Sequence, residues 1–253
     1  MTDRGDVIAS RGPIEHEFKL ASVTKLLVAY AVLIAVEEGS LALETPAGPA
    51  GSTTRHLLAH ASGLAPDGMA SLAAPGTRRI YSNAGFEVLA ATLENATEMT
   101  AATYLHDAVC APLAMTATRL DGSPASGAVS TVTDLARFAA ELLAPTLLAG
   151  DTWRAATSVA FPGLDGVLPG FGRQSPNDWG LGFELRDGKH PHWTGSANSA
   201  ATFGHFGQTG TLLWVDPVAQ AALVCLTDRP FGPWAATEWP LLADEVLAVQ
   251  KAG

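Results

Sequence analysis

The sequence is poor in basic residues. Its 253 residues include 15 Lys and Arg against 25 Asp and Glu, which gives a formal net charge of −10. A protein that binds nucleic acid usually presents a basic face, and no run of Lys and Arg exists here. We therefore expect no nucleic-acid partner.

Cysteine is scarce as well, with Cys110 and Cys225 far apart and outside any CxxC pattern. They are most simply read as two small buried thiols, although sequence alone leaves a disulfide between them open. His190 and His192 form an HxH pair, but a zinc site needs further ligands, and no third one is evident. We expect neither a metal nor another cofactor.

Long apolar runs are also missing. The longest, residues 26–36, is about half the length of a membrane-spanning helix. Acidic residues precede it and Glu37 and Glu38 follow it, which fits a signal peptide poorly. We interpret it as a buried helix, expect no membrane association, and, with no export signal in the chain as given, expect a cytoplasmic location.

Several catalytic signatures are absent. No GxSxG elbow provides the nucleophile of an α/β-hydrolase, and no Walker A loop or GxGxxG fingerprint supports nucleotide binding. What the chain does have is a hydrophobic fraction of 47%, which is sufficient for a substantial core.

The hydrophobic pattern changes from helical to β-rich along the chain. Helices are predicted over 20–38, 54–61, 84–94, 101–109 and 133–143, and a closing amphipathic helix over 234–251. Strands are predicted over 7–10, 179–186, 199–205, 210–216 and 221–227, whereas 145–178 is predicted to be mostly irregular. Gly39 is expected to end the first helix, and the last one to bury Trp239, Leu242, Val246 and Val249.

This pattern predicts an α+β fold, with helices against an antiparallel sheet. We expect a single domain with a helical lobe of about 20–178 and a sheet lobe of about 1–19 and 179–253. The active site is expected between the lobes.

The first chemical signal is Ser22-Val23-Thr24-Lys25 at the start of the first buried helix. A serine three residues before a lysine lies on the same helix face. An amine kept dry enough to lose its proton can activate a serine hydroxyl. Alone, the motif is a weak signal, because it also occurs by chance as a helix-capping serine and a solvated lysine.

The second signal is Tyr81-Ser82-Asn83, which follows a Pro75-Gly76 turn and precedes a helix. A tyrosine near an ammonium can exchange a proton with it, and an asparagine can both donate to and accept from a substrate amide or ester. The alternative is a half-buried aromatic residue and a helix cap.

The third signal is the segment 204–210, GHFGQTG, on a predicted strand. Its glycines allow a ligand to approach the backbone, and such a strand can lend an N–H to an oxyanion hole. His205 is interpreted either as a positive charge for a substrate carboxylate or as a hydrogen-bond donor. A hairpin with a structural histidine is the alternative.

Together and in this order, the motifs resemble the serine β-lactamase-like superfamily, which includes class C β-lactamases, serine D-Ala-D-Ala peptidases and esterases of the same fold. Other segments extend the resemblance from about Leu20 to the last strands. They are 56–64 (HLLAHASGL), 75–77 (PGT), Ser130-Thr131, 134–138 (DLARF) and 179–182 (WGLG).

The resemblance implies a role for each residue. Ser22 would be the acylated nucleophile, Lys25 its proton partner, and Tyr81 the general base. Substrate would be held by the set Asn83, His205, Gly207 and Gln208, with the backbone N–H groups of Ser22 and Gln208 as the oxyanion hole. The implied activity is that of a serine hydrolase acting on small esters or amides.

Two departures from the family pattern matter. His205 stands where many relatives carry the lysine of a KTG motif, and relatives with histidine there include peptidases and esterases, which argues against an antibiotic-destroying β-lactamase. With no export signal in the chain as given, we expect an esterase or small-amide hydrolase. A D-Ala-D-Ala carboxypeptidase or a weak β-lactamase is one alternative, and a catalytically silent ligand-binding protein is another. Only 21 residues precede Ser22, so one sheet face is expected to lack its usual cover unless a partner subunit, as in a homo-oligomer, or a rearranged terminus supplies it.

Overall fold

The computed structural model describes residues 7–252 of the chain. Within this range seven α-helices, α1 to α7, cover Thr24–Glu37, Thr54–Leu58, Asn83–Thr97, Ala101–Leu105, Val132–Leu143, Gly150–Ala156 and Pro233–Ala252. A 3₁₀ turn, Ala21–Val23, leads into α1, and a π-helical turn, His106–Cys110, continues α4.

The strands form three antiparallel sheets in the described part of the chain. Strands β1 to β9 cover Phe18–Lys19, Arg119–Leu120, Ala128–Ser130, Gly166–Leu168, Gly172–Gln174, Glu184–Leu185, Phe203–Gly207, Thr211–Asp216 and Ala221–Cys225. The main sheet has the order β6-β7-β8-β9, the small sheet the order β1-β3-β2, and β4 pairs with β5. The predicted α+β fold is confirmed.

Helix α1 runs through the centre of the larger core. Every residue from Thr24 to Ala35 is buried, as expected for a helix that is apolar on all sides. The helix ends where predicted, because Gly39 adopts the left-handed conformation (φ 77°) that favours glycine after a helix. The site at the start of α1 is therefore anchored in the most buried part of the molecule.

The central strand β8 is covered on both faces. Side chains alternate along a strand, and Leu213 and Val215 join the larger core around α1 and α5. Leu212 and Trp214 join a second core that includes Trp239 of α7. The expectation of a bare sheet face is wrong for this strand, because α7 covers it. The homo-oligomer stays a prediction.

The N-terminal region differs from its prediction. Residues 7–10 are irregular, with Val7 58% and Ile8 43% exposed, so the strand predicted there is wrong. A strand forms only where it meets a partner, and Phe18–Lys19 pairs with β3. The N-terminal strand therefore belongs to the small sheet and does not extend the main one, while residues 1–6 lie outside the described range.

Short elements account for most other differences between the predicted and the observed secondary structure. The region 145–178 contains α6 and the β4–β5 hairpin, which are too brief to produce a readable periodicity. The β-rich segment 179–186 yields only the two-residue β6. Similarly, α2 ends at Leu58, and the helix predicted over 101–109 is divided into α4 and the π-helical turn His106–Cys110.

The apolar stripe of α7 is also displaced. Trp239 is buried as predicted, but Val249 is 62% exposed. The other buried positions, spaced by four, are Ala235, Ala243 and Leu247. Small alanine side chains let α7 approach the sheet closely. The sequence pattern, by contrast, favoured the large apolar side chains as the buried ones. Across the described range, no helix is both long and apolar enough to span a bilayer.

Replacement of Gly182 by alanine tests the packing of α1. Gly182 has φ 91°, and a Cβ there would lie 2.1 Å from Cβ of Ala29 in α1. We expect Gly182→Ala to lower the free energy of unfolding by about 1–3 kcal/mol, measured by urea denaturation. Gly188→Ala is the matched control, because an added Cβ there meets nothing within 4 Å. Equal midpoints for the two variants would contradict this packing.

Candidate active site

The predicted nucleophile lies in a strained turn held by the third motif. Ser22 belongs to the 3₁₀ turn before α1, and Ala21 beside it has φ 45°, which is unusual for a residue with a Cβ. The hydroxyl of Thr209 donates to the carbonyl of Lys19 at 2.8 Å, and that of Thr211 donates to the carbonyl of Leu20 at 2.8 Å. These bonds fix the turn from the opposite side of the site.

Gly207, at the end of β7, lets the same strand approach this turn. A Cβ at Gly207 would lie 2.4 Å from the carbonyl oxygen of Leu20 and 2.5 Å from Oγ1 of Thr211. Any larger residue would push the strand away from the nucleophile. The glycine is therefore required by close packing between the first and third motifs.

Lys25 is fully buried near the start of α1. Its Nζ donates to Asn83 Oδ1 and to the carbonyl oxygen of Ala125, both at 2.8 Å, and lies 3.3 Å from Ser22 Oγ. Burial penalises the ammonium form and lowers the pKa of Lys25 to about 7, although two nearby carboxylates oppose the shift. The amine is thus poised to accept a proton near neutral pH.

Tyr81 completes the contacts of the nucleophile. Its hydroxyl donates to Ser22 Oγ at 2.8 Å. Burial raises the pKa of the Tyr81 phenol, so the hydroxyl keeps its proton at neutral pH. The rings of His60 and Trp179 pack beside it, with centroids at 4.6 and 5.8 Å. The environment therefore favours a proton donor over the phenolate that a general base requires.

Asn83 connects this centre to α3. It is the first residue of the helix, and the cap is Ser82, whose hydroxyl accepts from the backbone N–H of Gly85 at 2.9 Å. Its Oδ1 accepts from Lys25, and its Nδ2 donates to Asp67 Oδ1 at 3.0 Å. The amide orientation is thereby fixed from both sides.

His205 lies in the middle of β7 and is buried. Its Nδ1 is 2.7 Å from the carbonyl oxygen of Phe206, and since a carbonyl only accepts, Nδ1 carries the proton. Burial, reinforced by the charge of Lys25, lowers the pKa of His205 to about 3. The ring is neutral at pH 7, so its environment does not favour the positive charge considered for it.

Glu184 is a buried carboxylate near these residues that no sequence motif singled out. Lys189 Nζ donates to its Oε1, and His192 Nε2 and Trp193 Nε1 both lie 2.9 Å from its Oε2. Burial opposes ionisation of Glu184, but Lys189 and His192 outweigh that effect and hold its pKa well below the ordinary value. His192 of the HxH pair therefore contacts the carboxylate of the buried Glu184–Lys189 ion pair.

The structure brings the predicted residues together around one cavity of about 160 Å³. Its wall comprises Ser22, Tyr81, Asn83, Leu168, Pro169, Trp179, Glu184, His205, Phe206 and Gln208. Lys25 and Gly207 lie directly behind this wall through the contacts described above. Sequence reasoning missed Glu184, Leu168 and Pro169. It noted Phe206 only as part of the third motif and Trp179 only as part of a family-like segment.

The profile of the family described as Beta-lactamase matches residues 14–248. The chain belongs to the beta-lactamase family. The resemblance inferred from the three motifs is therefore confirmed, and membership is consistent with a serine hydrolase.

Solved structures resemble this beta-lactamase family member to different degrees in sequence and fold. The crystal structure of a beta-lactamase (Mb2281c) from Mycobacterium bovis is 56% identical, with 99% of this chain and 93% of that chain covered and a TM-score of 0.97. EstCE1, a hydrolase with promiscuous acyltransferase activity, shares the fold at 19% identity, with 93% and 85% covered and a TM-score of 0.73.

A sequence relative matches over a shorter stretch. The "Putative D-alanyl-D-alanine carboxypeptidase" of Salmonella gallinarum is 40% identical over 74 residues. The match spans 28% of this beta-lactamase family member and 17% of the length of the Salmonella protein.

The pH dependence of ester cleavage tests the protonation state of Lys25. Only the neutral amine accepts a proton, so we expect the rate with p-nitrophenyl acetate to rise with pH and to level off above about 7. Lys25→Arg should lose about 10²–10⁴-fold in rate, since a guanidinium does not deprotonate. Lys19→Arg, at an exposed position, is the control and should keep the native profile. A flat profile through pH 7 would contradict Lys25 as the base.

Proposed function

We propose that this protein is a serine hydrolase that cleaves small esters through an acyl-enzyme on Ser22. The supporting observation is the pair of contacts at Ser22 Oγ, which lies 2.8 Å from the Tyr81 hydroxyl and 3.3 Å from Lys25 Nζ. A serine hydroxyl needs a base to remove its proton. Lys25, with a pKa of about 7, is suited to that role.

In acylation, Ser22 gives its proton to the neutral amine of Lys25 while Oγ bonds to the substrate carbonyl carbon. The backbone N–H groups of Ser22 and Gln208, both residues of the cavity wall, would stabilise the oxyanion. The bond to the leaving oxygen then breaks, and this oxygen takes the proton of Tyr81. Lys25 then returns its proton to the tyrosine oxygen, because both groups lie against the same Ser22 oxygen.

Deacylation reverses these transfers. Water gives one proton to the Tyr81–Lys25 pair as its oxygen bonds to the acyl carbon. The bond to Ser22 breaks, and Oγ recovers a proton from the pair, releasing a carboxylic acid. Because Lys25 and Tyr81 finish in their starting protonation states, the same two residues serve both half-reactions.

Hydrolysis of D-Ala-D-Ala peptides or of β-lactams is the alternative within the family. The match to the Salmonella protein named as a carboxypeptidase supports it. These substrates carry a carboxylate, and His205, with a pKa of about 3, supplies no positive charge to bind it. This difference favours an ester substrate.

A catalytically silent binding protein on the same fold is the alternative from another class. A binding site has no use for a lysine held near a pKa of 7 beside a serine hydroxyl. Burying that lysine is costly, and the cost is explained if the amine exchanges a proton. We therefore favour the enzyme.

Two measurements test the proposal. One is nitrophenol release from p-nitrophenyl butyrate, and the other is intact mass after exposure to that ester or, separately, to a β-lactam. We expect rapid nitrophenol release by the native protein and its loss in Ser22→Ala, which removes the attacking oxygen. A long-lived β-lactam adduct without ester turnover would favour the penicillin-recognising alternative. Absence of both adduct and turnover would favour the silent binding protein.

A further inference from the structure

A second cavity of about 330 Å³ adjoins the catalytic one, because Asn83 lines both. Its wall carries two carboxylates, Asp67 and Glu87, and the hydroxyl of Ser123. Because Asn83 is shared, an acyl group attached to Ser22 and extending past Asn83 would enter this space. The second cavity is therefore placed to select the acyl half of the ester, and the inference that follows rests on the proposed function.

The hydrogen-bond partners of the two carboxylates are both neutral groups. Asp67 accepts from the side-chain amide of Asn83 at 3.0 Å, and Glu87 accepts from the hydroxyl of Ser123. Both of these partners are neutral. The charges act as far as Lys25, where each one favours the ammonium form.

The walls of the two cavities offer an anion no cationic side chain within the part of the chain that the structure describes. Among the described residues that line the two cavities, none is Lys or Arg. Lys25 lies behind the wall, and its Nζ already has Ser22, Asn83 and Ala125 as polar neighbours, which use the three hydrogens of an ammonium. His205 is neutral, and its buried Nε2 has no partner within residues 7–252, so it offers only a lone pair.

We propose that the site selects for the charge of the acyl group, favouring one whose far end is positively charged and disfavouring one that ends in a carboxylate. Asp67 and Glu87 provide the attraction for the cation. The surrounding wall provides no counter-charge for an anion.

Three p-nitrophenyl esters with the same chain of four methylenes test this inference on the 253-residue chain. Their acyl groups end in trimethylammonium, in the isosteric but neutral tert-butyl group, and in carboxylate. At low ionic strength we expect kcat/KM to be about tenfold higher for the cation than for the neutral ester, and about tenfold lower for the anion. Rates with Ser22→Ala are subtracted as background.

Variants at carboxylates separate the cavity from the general charge of the protein. Glu87→Gln should reduce the cation-to-neutral ratio about threefold, and added salt should reduce it as well. Glu245→Gln removes an exposed carboxylate of α7 and should leave the ratio as in the native protein. These ratios report selectivity within each variant, so a general loss of activity does not affect them.

The outcomes distinguish this inference from the proposed function. Hydrolysis of all three esters at similar rates, a preference for the anion, or a Glu87→Gln ratio equal to the native one would overturn the inference but leave an esterase. Failure of every ester to react at Ser22 would overturn the proposed function itself.

Discussion

Lys25 is kept from water by the core around α1, and the proton chemistry at Ser22 follows from that burial. A lysine on a solvated helix keeps a pKa near its reference value and is protonated at pH 7. Here the whole of the helix from Thr24 to Ala35 is buried, so the amine at its start shares the low dielectric of the core. The apolar composition of α1 therefore serves two purposes, since it stabilises the fold and makes the lysine a base.

The position of the nucleophile depends on parts of the chain far apart in sequence. The turn that carries Ser22 is stabilised by hydroxyl groups of Thr209 and Thr211 and by the close approach of Gly207. The left-handed conformation of Ala21 is unfavourable by itself, and these contacts hold it in place. Such strain is common at functional sites where the surroundings determine the backbone.

The sequence was sufficient to predict the residues at the centre of the site and the long secondary-structure elements. SxxK, YSN and HFG are local motifs with ordered spacing, and the residues they named lie around one cavity. Elements of a dozen residues or more are also readable, α1 from its unbroken apolar run and α3 and α5 from their helical periods. By contrast, the seven-residue α6 and the three-residue strands β4 and β5 leave no such signal.

Burial and charge at the site could not be predicted, because they depend on tertiary neighbours. Glu184 lies in a strand segment with no motif, and its partners Lys189 and His192 come from the following loop. The sequence left the charge of His205 open, and only the hydrogen bond to Phe206 and the surrounding core make the neutral ring favourable. The role of the N-terminal residues was mistaken for a related reason, since strand pairing depends on which partner is within reach.

The charges around Lys25 connect catalysis to the acyl group. Burial lowers the pKa of the lysine, while Asp67 and Glu87 raise it, and the value of about 7 is the balance between these effects. The same carboxylates line the cavity beside Asn83. A cation bound there would weaken their effect and keep Lys25 neutral, whereas an anion would add to it and favour the ammonium. The charge of a substrate thus acts on the base as well as on binding. A cation improves both, and an anion impairs both.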